Sequence, residues 1–487
     1  MKKRVTRRQF LIGAGAVTAA AATGVGVKEL FNDECKCPPK PKLPANGVFP
    51  WKNWSGALEC TPGARIAPAS TEELAAALKN STGPVRPVGA GHSFSALVPT
   101  DGTLVSLARF SGIESHNPET LEATIGGGTR LGAIGEPLKA MGQAMINMPD
   151  IDQQTLAGSI ATATHGTGLG IGSLSSFVTG FELVTVGGDV LWCDKDTNSD
   201  IFEAGKVSMG ALGIMTKIRM QNQEPYKLER KAWTQPVDDI LSNLDTLGTD
   251  NRNVDIYFIP YSEVGAVITH NVVPDDTKVE RLAEETNPLK DLQDAECYLG
   301  WSKALRKVAL NFGLEQLEPE REVDWSHKIY PSVRNTRFNE MEYHLPYENG
   351  PAAMREILDT IYDKGLDINF PIEFRLVGED KNAWLSPFEG REKTCSIAVH
   401  QYHDIDPTPY FSVIEPILKK HGGRPHWGKQ HTMDAKELSK RYPNWDNFMR
   451  VRQQLDPEGR LLNPHLSKVL GVKPGVPKPA PQKAPAP

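Results

Sequence analysis

Short apolar runs separated by glycine-rich turns characterise the first half of the chain. An extended run at residues 64–69, an amphipathic stretch at 71–80 and a second apolar run that ends at Val88 predict a strand, a helix and a strand. Ser70 and Glu73 have the spacing of a capping box, which marks the start of the helix. The first lobe is therefore expected to open with a βαβ unit.

Short strands and a hairpin are predicted for the rest of this lobe. Residues 103–108 and 121–128 read as strands, and a glycine run leads from the second of them into a helix at residues 130–142. Two apolar runs within residues 177–193, joined by a glycine pair, predict a hairpin. The apolar run at residues 206–220 is expected to close the lobe.

The composition changes from about residue 221, where a second lobe is predicted to begin. Residues 233–247 predict a helix, and charged residues with helical spacing within 275–320 predict an amphipathic insertion, on the surface or over the site. Five strand-like runs lie on either side of that insertion, at residues 254–260, 265–273, 338–346, 368–376 and 395–403.

These patterns divide the chain into five segments. A signal segment is predicted at residues 1–34, a proline-rich linker at 35–55, the first lobe at 56–222 and the second lobe at 223–470. Residues 471–487 are too rich in proline to pack and are expected to form a disordered or polyproline tail.

Length and charge limit the class of protein. A chain of 487 residues is long enough for two or three domains, each with its own core. The formal net charge is −6, and the sequence shows no concentrated basic face. Nucleic acid is therefore not expected as a partner.

The N-terminus predicts export. A basic start with the paired Arg7 and Arg8 precedes an apolar stretch rich in alanine and glycine, which is typical of a twin-arginine signal. The alternative is a basic tail before a buried helix. Because this route carries folded proteins, it suits a protein whose cofactor is inserted first. We expect the twin-arginine translocation machinery as a partner and the periplasm or cell envelope as the location, with an uncleaved signal as a further way to tether the protein.

The six cysteines are too few and too scattered to predict a disulfide framework. Cys35 and Cys37 lie in the linker with one residue between them, a spacing that matches neither a haem attachment site nor a zinc ligand pair. No metal site is predicted.

The candidate chemistry begins in residues 84–95, PVRPVGAGHSFS. After an apolar run, Gly89, Ala90 and Gly91 let the backbone turn and expose its N–H groups, and His92 and Ser93 follow. The pattern predicts a phosphate cradle with a nucleophile beside it. The structural alternative is a tight turn with a histidine on the surface.

A second stretch, TLAGSIATATHGTG at residues 155–168, has the same character. Small residues and hydroxyl groups alternate there, so a large flat ligand could lie against the backbone and be held by hydroxyl and N–H groups. Two such loops in one chain favour a ligand-binding role over ordinary turns.

Three stretches of the second lobe carry groups suited to catalysis. In PIEFR, strand alternation places Glu373 and Arg375 on one face, where they could hold a polyol or simply form a surface ion pair. His400 ends an apolar strand, the usual setting of a hydrogen-bonded core histidine. Residues 424–431, RPHWGKQH, combine an aromatic residue, a turn glycine and Lys429, and could equally be a stacked basic turn.

From about residue 56 to 470, these motifs resemble those of flavoproteins of the vanillyl-alcohol-oxidase type, and within them the sugar-lactone and alditol oxidases of the D-arabinono-1,4-lactone oxidase kind. The resemblance implies an α+β, two-lobe flavoprotein. Its N-terminal FAD-binding (PCMH-type) α+β domain would be followed by a C-terminal substrate domain built on an antiparallel sheet with flanking helices. Residues 456–466, DPEGRLLNPHL, are similar to the closing motif of that family and are expected to dock the tail on the first lobe.

The resemblance also implies FAD, joined covalently to His92. His165, inside the second loop, is an alternative attachment point or a second contact. The run MGALGIM at residues 209–215 resembles a third contact. The residues expected to bind the cofactor are Arg86, Val88, Gly89, Ala90, Gly91, His92, Ser93, Gly158, Ser159, Thr162, Thr164, His165, Gly166, Gly213 and Ile214.

The activity that the resemblance implies is oxidation of a CH–OH group of an aldonolactone or alditol, with hydride transfer to flavin N5 and oxygen as the acceptor. Glu373 and Arg375 would hold the polyol, and His400 or Lys429 would assist removal of the hydroxyl proton. Lys429 could instead stabilise negative charge on the reduced flavin. The alternatives are a dehydrogenase of the same fold that reduces an envelope cytochrome or quinone, and a non-catalytic carbohydrate-binding protein.

One short stretch departs from the family pattern. Pro149 and Asp150 stand where plant dehydrogenases of the family have alanine and serine and animal oxidases have glycine. Pro149 favours an oxidase, while Asp150 leaves the substrate open.

Overall fold

The computed structural model describes residues 47–282, 311, 314, 318–332 and 336–473. The predicted signal segment, Cys35 and Cys37, most of the insertion and the tail beyond residue 473 lie outside these ranges. In the described ranges, Cys60, Cys193 and Cys395 are free thiols. No helix within them is long and apolar enough to cross a membrane.

The first lobe contains a small parallel sheet and a larger antiparallel one. After a hairpin of β1 (Trp51–Lys52) and β2 (Glu59–Cys60), the parallel sheet has the order β3–β5–β4. Its elements are β3 (Ala64–Ile66), α1 (Thr71–Asn80), β4 (Val85–Val88) and β5 (Thr103–Ser106). The predicted βαβ opening is therefore confirmed, with β5 between its two strands.

Helix α1 begins at the predicted cap. The Ser70 hydroxyl accepts a hydrogen bond from the Glu73 N–H at 3.2 Å, and the Glu73 carboxylate accepts one from the Ala69 N–H at 2.7 Å. Leu74 and Leu78 are buried on the inner face of the helix. The helix therefore packs into the core formed around the parallel sheet.

The antiparallel sheet of the first lobe has the order β10–β9–β11–β7–β6, and β8 also pairs with β11. The predicted hairpin is confirmed in β9 and β10. Its elements are β6 (Ile113–Asn117), β7 (Glu122–Gly126), α2 (Gly135–Ala140), β8 (Ala144–Met145), α3 (Leu156–Ala161), β9 (Val178–Val184), β10 (Val190–Asp194), α4 (Ser199–Gly205) and β11 (Ile214–Gln223). Short 3₁₀ turns lie at Leu131–Ala133 and Leu174–Phe177.

The second lobe is an eight-stranded sheet in the order β15–β12–β14–β13–β17–β18–β16–β19, and all its pairings are antiparallel. Its strands are β12 (Lys227–Pro236), β13 (Asn253–Phe258), β14 (Val264–Val273), β15 (Glu320–Trp325), β16 (Phe338–Pro346), β17 (Ile372–Gly378), β18 (Lys393–Tyr402) and β19 (Arg424–Pro425). Its helices are α5 (Val237–Ser242), α6 (Leu244–Asp250), α7 (Ser326–Ile329), α8 (Gly350–Asp363), α9 (Thr408–Lys420), α10 (Ala435–Leu438), α11 (Trp445–Leu455) and α12 (Pro464–Leu470), with a 3₁₀ turn at Tyr347–Asn349.

The helix predicted for residues 233–247 is wrong in its first part. Residues up to Pro236 belong to β12, and helical structure begins only at Val237. Strand β12 pairs with β14 on one side and β15 on the other. Hydrogen bonding to two neighbouring strands therefore overrides the local preference of this stretch.

Helices α8 and α9 cover one face of the second sheet. A Cβ on Gly350 of α8 would lie 2.4 Å from the Cys395 sulfur, and the Tyr343 hydroxyl donates to Glu415 of α9 at 2.5 Å. Apolar side chains of the sheet, including Phe374 and Ile397, fill this layer. The opposite face is consequently left to meet the first lobe.

The closing segment ties the two lobes together as predicted. The Val85 N–H donates to the Arg460 carbonyl at 2.8 Å, and the Arg460 guanidinium donates to the carbonyls of Val186 and Leu78. The Asn463 amide donates to carbonyls in residues 96–99. Arg460 and Asn463 thus hold the loop that follows β4 in place.

Candidate active site

Polar side chains line the face of the second sheet that α8 and α9 leave free. The strand register places Tyr257 opposite Glu373, Arg375 opposite Ser396 and Glu340 opposite His400. The full set is Asp255 and Tyr257 of β13, Glu373 and Arg375 of β17, Ser396 and His400 of β18, and Glu340, Glu342 and His344 of β16. Because burying charge is costly without compensation, a polar face of this kind indicates a site rather than a core.

Arg375 is the centre of the first charge cluster. Its Nε donates to Asp255 Oδ1 at 2.7 Å, and its Nη2 donates to Asp150 at 2.6 Å and to Glu373 at 2.7 Å. The Tyr257 hydroxyl also donates to Glu373, at 2.7 Å. Within the described residues Nη1 has no partner, so it can donate to a polyol oxygen.

The Arg375 cluster is richer in acid than in base. Burial alone would lower the pKa of Arg375, but Asp150, Glu373 and Asp255 outweigh it and raise that pKa well above its usual value. For Asp255, burial raises the pKa, and the charges of Asp150 and Glu373 add to the effect against the opposing pull of Arg375. Asp255 is therefore protonated more readily than a carboxyl group in water.

Lys429 is the centre of the second charge cluster. Its ammonium is paired with Glu340 and lies 3.7 Å from Glu342. Burial would lower the pKa of Lys429, but these two glutamates outweigh it and raise the pKa. This direction favours Lys429 as a fixed cation over the alternative in which a lysine of lowered pKa takes the hydroxyl proton.

His400 lies between Glu340 and Glu373. The three offer atoms within 4.8 Å of one another, but Glu340 is already paired with Lys429 and Glu373 with Arg375, so protein cations satisfy both charges. His400 Nδ1 lies 3.2 Å from the Pro371 carbonyl, and Nε2 lies 3.5 Å from Glu340. If Nδ1 donates to the carbonyl, Nε2 carries the lone pair. That tautomer suits a general base.

The loop after β4 presents a row of backbone donors. Gly91 has φ +73°, a conformation that favours glycine. Within the described residues, none of the N–H groups of residues 90–93 donates a hydrogen bond. A Cβ on Gly89 would lie 2.2 Å from Thr155 Oγ1, so the first loop touches the start of the second. The two glycine loops predicted from the sequence are thus neighbours.

His92 stands beside these donors with a free nitrogen. Its ring stacks on Trp54 with 5.4 Å between centroids, and its buried Nδ1 has no hydrogen-bond partner in the described part of the chain. Burial lowers the pKa of His92 to about 4, helped by the positive charges of Arg130 and Lys429. The imidazole is therefore neutral near neutral pH, the form that acts as a nucleophile.

The His92 loop and the Lys429 turn are bonded to each other. The Phe94 N–H donates to the Gly428 carbonyl at 2.7 Å, and the Ser95 hydroxyl donates to the Trp427 carbonyl at 2.6 Å. The Lys429 ammonium lies 5.2 Å from the centre of the Phe94 ring. The neutral imidazole and the cation consequently face one common space between the lobes.

The second loop offers backbone rather than hydroxyl groups. Ser159 Oγ donates to the Leu156 carbonyl, Thr162 Oγ1 to the Gly158 carbonyl, and Thr164 Oγ1 to Gln154. By contrast, the N–H groups of residues 165–167 have no acceptor among the described residues. The hydroxyl protons of Ser159, Thr162 and Thr164 are thus used within the loop, so these groups can meet a ligand only as acceptors, while the backbone supplies the donors.

His165 has no nitrogen left for a cofactor. Its Nδ1 lies 2.7 Å from the Gly166 carbonyl and its Nε2 lies 2.9 Å from Glu342. These contacts favour His92, whose Nδ1 has no partner among the described residues, over His165 as the attachment point.

Four other predicted cofactor residues have packing roles. The Arg86 guanidinium donates to the carbonyls of Leu97, Met209, Gly210 and Leu461, and its burial lowers its pKa to about 9. Val88 packs in a small apolar cluster, and Ile214 lies in the core of the first lobe. A Cβ on Gly213 would lie 2.8 Å from Leu183. These residues shape the loops and do not reach a ligand with their side chains.

Six site residues escaped the sequence analysis, namely Asp255, Tyr257, Glu340, Glu342, His344 and Ser396. The available signal was a polar residue at every second position of strands that are otherwise apolar, as in FNEMEYHLP. The strand was recognised, but its polar face could be assigned to a site only once the neighbouring strands were known.

FAD fits these residues. The two runs of free N–H groups, from loops in contact with each other, can hold the pyrophosphate and the polar edge of the flavin. The partnerless His92 Nδ1 lies beside them, and Lys429 supplies a positive charge on the same side.

This fold and site define a two-lobe, FAD-linked oxidoreductase. The FAD binding domain family matches residues 62–194, and the D-arabinono-1,4-lactone oxidase family matches residues 218–469. The chain belongs to the D-arabinono-1,4-lactone oxidase family, which confirms the predicted family, cofactor and class of enzyme.

Individual relatives agree with this membership. L-gulono-1,4-lactone dehydrogenase of Mycobacterium tuberculosis is 33% identical over 432 residues, which cover 86% of this chain and 99% of the relative. L-gulonolactone oxidase of Scyliorhinus torazame is 27% identical over 450 residues, covering 87% and 98%. Cholesterol oxidase from Brevibacterium sterolicum shares the fold, with a TM-score of 0.72 at 16% identity over 89% of this chain and 100% of that one. The predicted two-lobe α+β fold is thereby confirmed.

Proposed function

We propose that this enzyme oxidises a CH–OH group of a sugar-derived lactone or alditol. The observation that carries the proposal is the meeting of two kinds of group in one space. The His92 loop of the first lobe is bonded to the Lys429 turn of the second, and the charge of Glu373 acts on Lys429. Trp54, which stacks on His92, packs on Phe338, whose ring lies 5.1 Å from that of His400. Bound FAD would supply the hydride acceptor for this oxidation.

The protein's own residues divide the remaining work. Arg375 Nη1 and the Glu373 carboxylate hold hydroxyl groups of the substrate by charge-assisted hydrogen bonds. His400 Nε2 receives the hydroxyl proton as the carbon is oxidised. Lys429, held as an ammonium by Glu340, stabilises negative charge that develops nearby.

A substrate screen tests this proposal. Under anaerobic conditions, at least one aldonolactone or alditol should bleach the yellow colour of the purified protein, because the flavin is reduced. A series of neutral lactones and alditols of increasing chain length should rank the substrates. If none of them bleaches the flavin, the protein is a binding protein rather than this oxidoreductase.

We propose oxygen as the electron acceptor, as the name of the Scyliorhinus relative suggests. The rival is a dehydrogenase that passes electrons to an envelope cytochrome or quinone, and the name of the Mycobacterium relative favours it. Peroxide formed per substrate oxidised under air separates the two. An oxidase gives close to one peroxide per turnover, whereas a dehydrogenase gives almost none and responds to an added quinone or dye.

We further propose that the flavin is joined covalently to His92. The support is the free, buried Nδ1 of a neutral imidazole beside the backbone donors. The wild-type protein should keep a yellow, fluorescent flavin after acid precipitation, and His92→Ala should lose it. Acid-stable colour in that variant would place the bond on another residue.

For the location, we propose export to the periplasm or cell envelope by the twin-arginine machinery. The support is the paired Arg7 and Arg8 ahead of an apolar stretch. Replacing both with lysine should keep the protein in the cytoplasmic fraction. Unchanged fractionation would contradict the proposal.

A further inference from the structure

Behind Lys429 lies a buried group of three histidines and one glutamate that the proposed reaction does not use. His165 comes from the second glycine loop of the first lobe, and Glu342 and His344 come from β16 of the second. His426 precedes Lys429 in its turn. The His165 ring lies 5.1 Å from that of His344 and 5.8 Å from that of His426, measured between centroids.

Among these histidines, His165 has an oxygen acceptor at both ring nitrogens. Nδ1 lies 2.7 Å from the Gly166 carbonyl, which can only accept, and Nε2 lies 2.9 Å from Glu342 Oε1. A neutral imidazole carries one N–H and could satisfy only one of them. A second proton must therefore lie in the His165–Glu342 pair.

The surroundings place that second proton on His165. Glu342 also accepts a hydrogen bond from the Ser396 hydroxyl and lies 3.7 Å from the Lys429 ammonium, and both contacts favour the carboxylate form. The pair is thus an imidazolium and a carboxylate.

The other two histidines are neutral. His426 Nδ1 accepts a hydrogen bond from the Gly428 N–H at 2.9 Å, so this nitrogen carries no proton. Both ring nitrogens of His344 lack a partner within the described residues. Burial lowers the pKa of His426 to about 3 and that of His344 well below its usual value. Phe388, 5.1 Å from His165, adds no charge.

The charges around Lys429 balance only when His165 is counted. Glu340 and Glu342 are both buried, and Lys429 alone cannot neutralise two carboxylates. With His165 as the partner of Glu342, Lys429 is free to pair with Glu340, which lies on the same strand two residues away. The His165–Glu342 pair also joins the two lobes directly beneath the candidate site.

We propose that His165 is a positioning residue. As a buried imidazolium it neutralises Glu342 and thereby keeps Lys429 paired with Glu340, with its ammonium directed at the space between the lobes. The effect on turnover rests on the proposed function, whereas the protonation of His165 does not.

The protonation is tested without activity, by ¹⁵N NMR of histidine-labelled wild-type protein at about pH 7.5, above the usual histidine pKa of about 6.5. One imidazole should carry protons on both ring nitrogens, and this signal should be absent from His165→Gln. A spectrum with only neutral imidazoles would overturn the proposal. So would metal analysis that finds one divalent ion per protein, because an ion between His165 and Glu342 would replace the proton.

Turnover is tested by charge rescue, with whichever substrate bleaches the wild-type flavin. His165→Gln should keep its FAD and lose about tenfold or more in kcat, with less effect on KM, because Lys429 shifts towards the unpaired Glu342. The double variant His165→Gln/Glu342→Gln restores the balance and should recover most of that loss and of the accompanying fall in Tm. His116→Gln, at an exposed histidine of β6, is the control and should stay within about twofold of wild type.

Two outcomes separate the possible failures. If His165→Gln matches wild type, or if the double variant is no better than the single one, His165 has only a packing role. If His165→Gln does not fold, the double variant still decides, since a folded and active double variant supports the charge argument and an unfolded one contradicts it. If no substrate bleaches the wild-type flavin, the proposed function fails. The NMR test of His165 still decides its protonation, because it does not depend on activity.

Discussion

The two lobes present different chemistry to the space between them. The loops of the first lobe offer backbone N–H groups that have no acceptor among the described residues, at 90–93 and 165–167, together with one neutral imidazole. The sheet of the second lobe offers charged side chains in two clusters, one around Arg375 and one around Lys429. The groups of the first lobe therefore depend on backbone conformation, and those of the second depend on balanced buried charges.

This difference determines what substitutions in each lobe should impair. Backbone donors do not depend on side-chain identity, but they need positive φ and close approach, so glycine substitutions should disturb them. A charge cluster tolerates small shifts in shape, but the loss of one member leaves its partners buried and uncompensated. Substitutions in the first lobe should therefore affect FAD retention, and those in the second should affect stability or turnover.

The largest effect is expected for Arg375→Leu. It leaves Asp150, Asp255 and Glu373 without their shared cation, and removing one partner of a buried ion pair costs about 3–5 kcal/mol. Urea unfolding measures the loss. The control is Arg355→Leu, whose partner Asp238 is exposed, and which should cost less than about 1 kcal/mol. Equal losses in the two variants would mean that the Arg375 cluster is no more than a surface pair.

Next comes Lys429→Met, which acts on turnover. It removes the cation that faces the His92 loop, and the loss of one such group typically lowers kcat by about 10²–10³-fold. FAD content should stay near that of wild type, because the loops of the first lobe hold the cofactor. Lys420→Met, at an exposed lysine paired with Glu356, is the matched control and should leave kcat unchanged. Equal losses of FAD and turnover at Lys429 would make its role structural.

The comparison also explains what could be predicted from the sequence. The glycine loops were found because their chemistry lies in contiguous residues, and Gly89, Gly91 and His92 are neighbours in the chain. The charge clusters were found only in part, because Arg375 meets Asp255 across a strand pair and Asp150 from another lobe. Strand alternation predicted that Glu373 and Arg375 share a face, but not what would lie opposite them.

Arg86 shows that a local pattern can also suggest a contact that the fold does not make. Its position next to the first loop suggested a cofactor contact, yet its guanidinium is consumed by four carbonyl groups, among them those of Met209 and Leu461. Three of the four acceptors, Met209, Gly210 and Leu461, lie more than a hundred residues away in the chain, so no local pattern could reveal them. The closing motif at residues 456–466 was predicted correctly because family resemblance carried its long-range contact.

Gly89→Ala tests whether FAD binding depends on the conformation of the first-lobe loops. A Cβ at this position would lie 2.2 Å from Thr155 Oγ1, so the two loops must separate. Overpacking of this kind costs about 1–3 kcal/mol, and here it should appear as lower FAD content and a lower Tm. Gly83→Ala is the control, since nothing lies within 4 Å of a Cβ there. Full FAD retention in Gly89→Ala would mean that the contact between the loops is not needed for the cofactor.

Asp255→Asn tests the charged lobe through the pH dependence of the free energy of unfolding. Burial raises the folded-state pKa of Asp255, so its contribution to stability is present below the unfolded pKa of about 3.9 and is lost as the pH rises through the folded pKa. Asparagine mimics the neutral form and avoids that loss. The variant should therefore gain about 1–2 kcal/mol relative to wild type between about pH 4 and neutral pH. Asp238→Asn, at an exposed position, should give a curve parallel to wild type, and parallel curves for Asp255→Asn would contradict the shift.

The smallest effect is expected for Ser159→Ala, and it separates backbone recognition from side-chain recognition in the second loop. The Ser159 hydroxyl donates to the Leu156 carbonyl, so its removal should cost at most about 1 kcal/mol and leave FAD content unchanged. Gly166→Ala in the same loop should lower FAD content, because its Cβ would lie 2.5 Å from the Met148 carbonyl. If Ser159→Ala loses FAD and Gly166→Ala retains it, the loop binds through its hydroxyl groups, and the contrast between a conformational lobe and a charged lobe no longer holds.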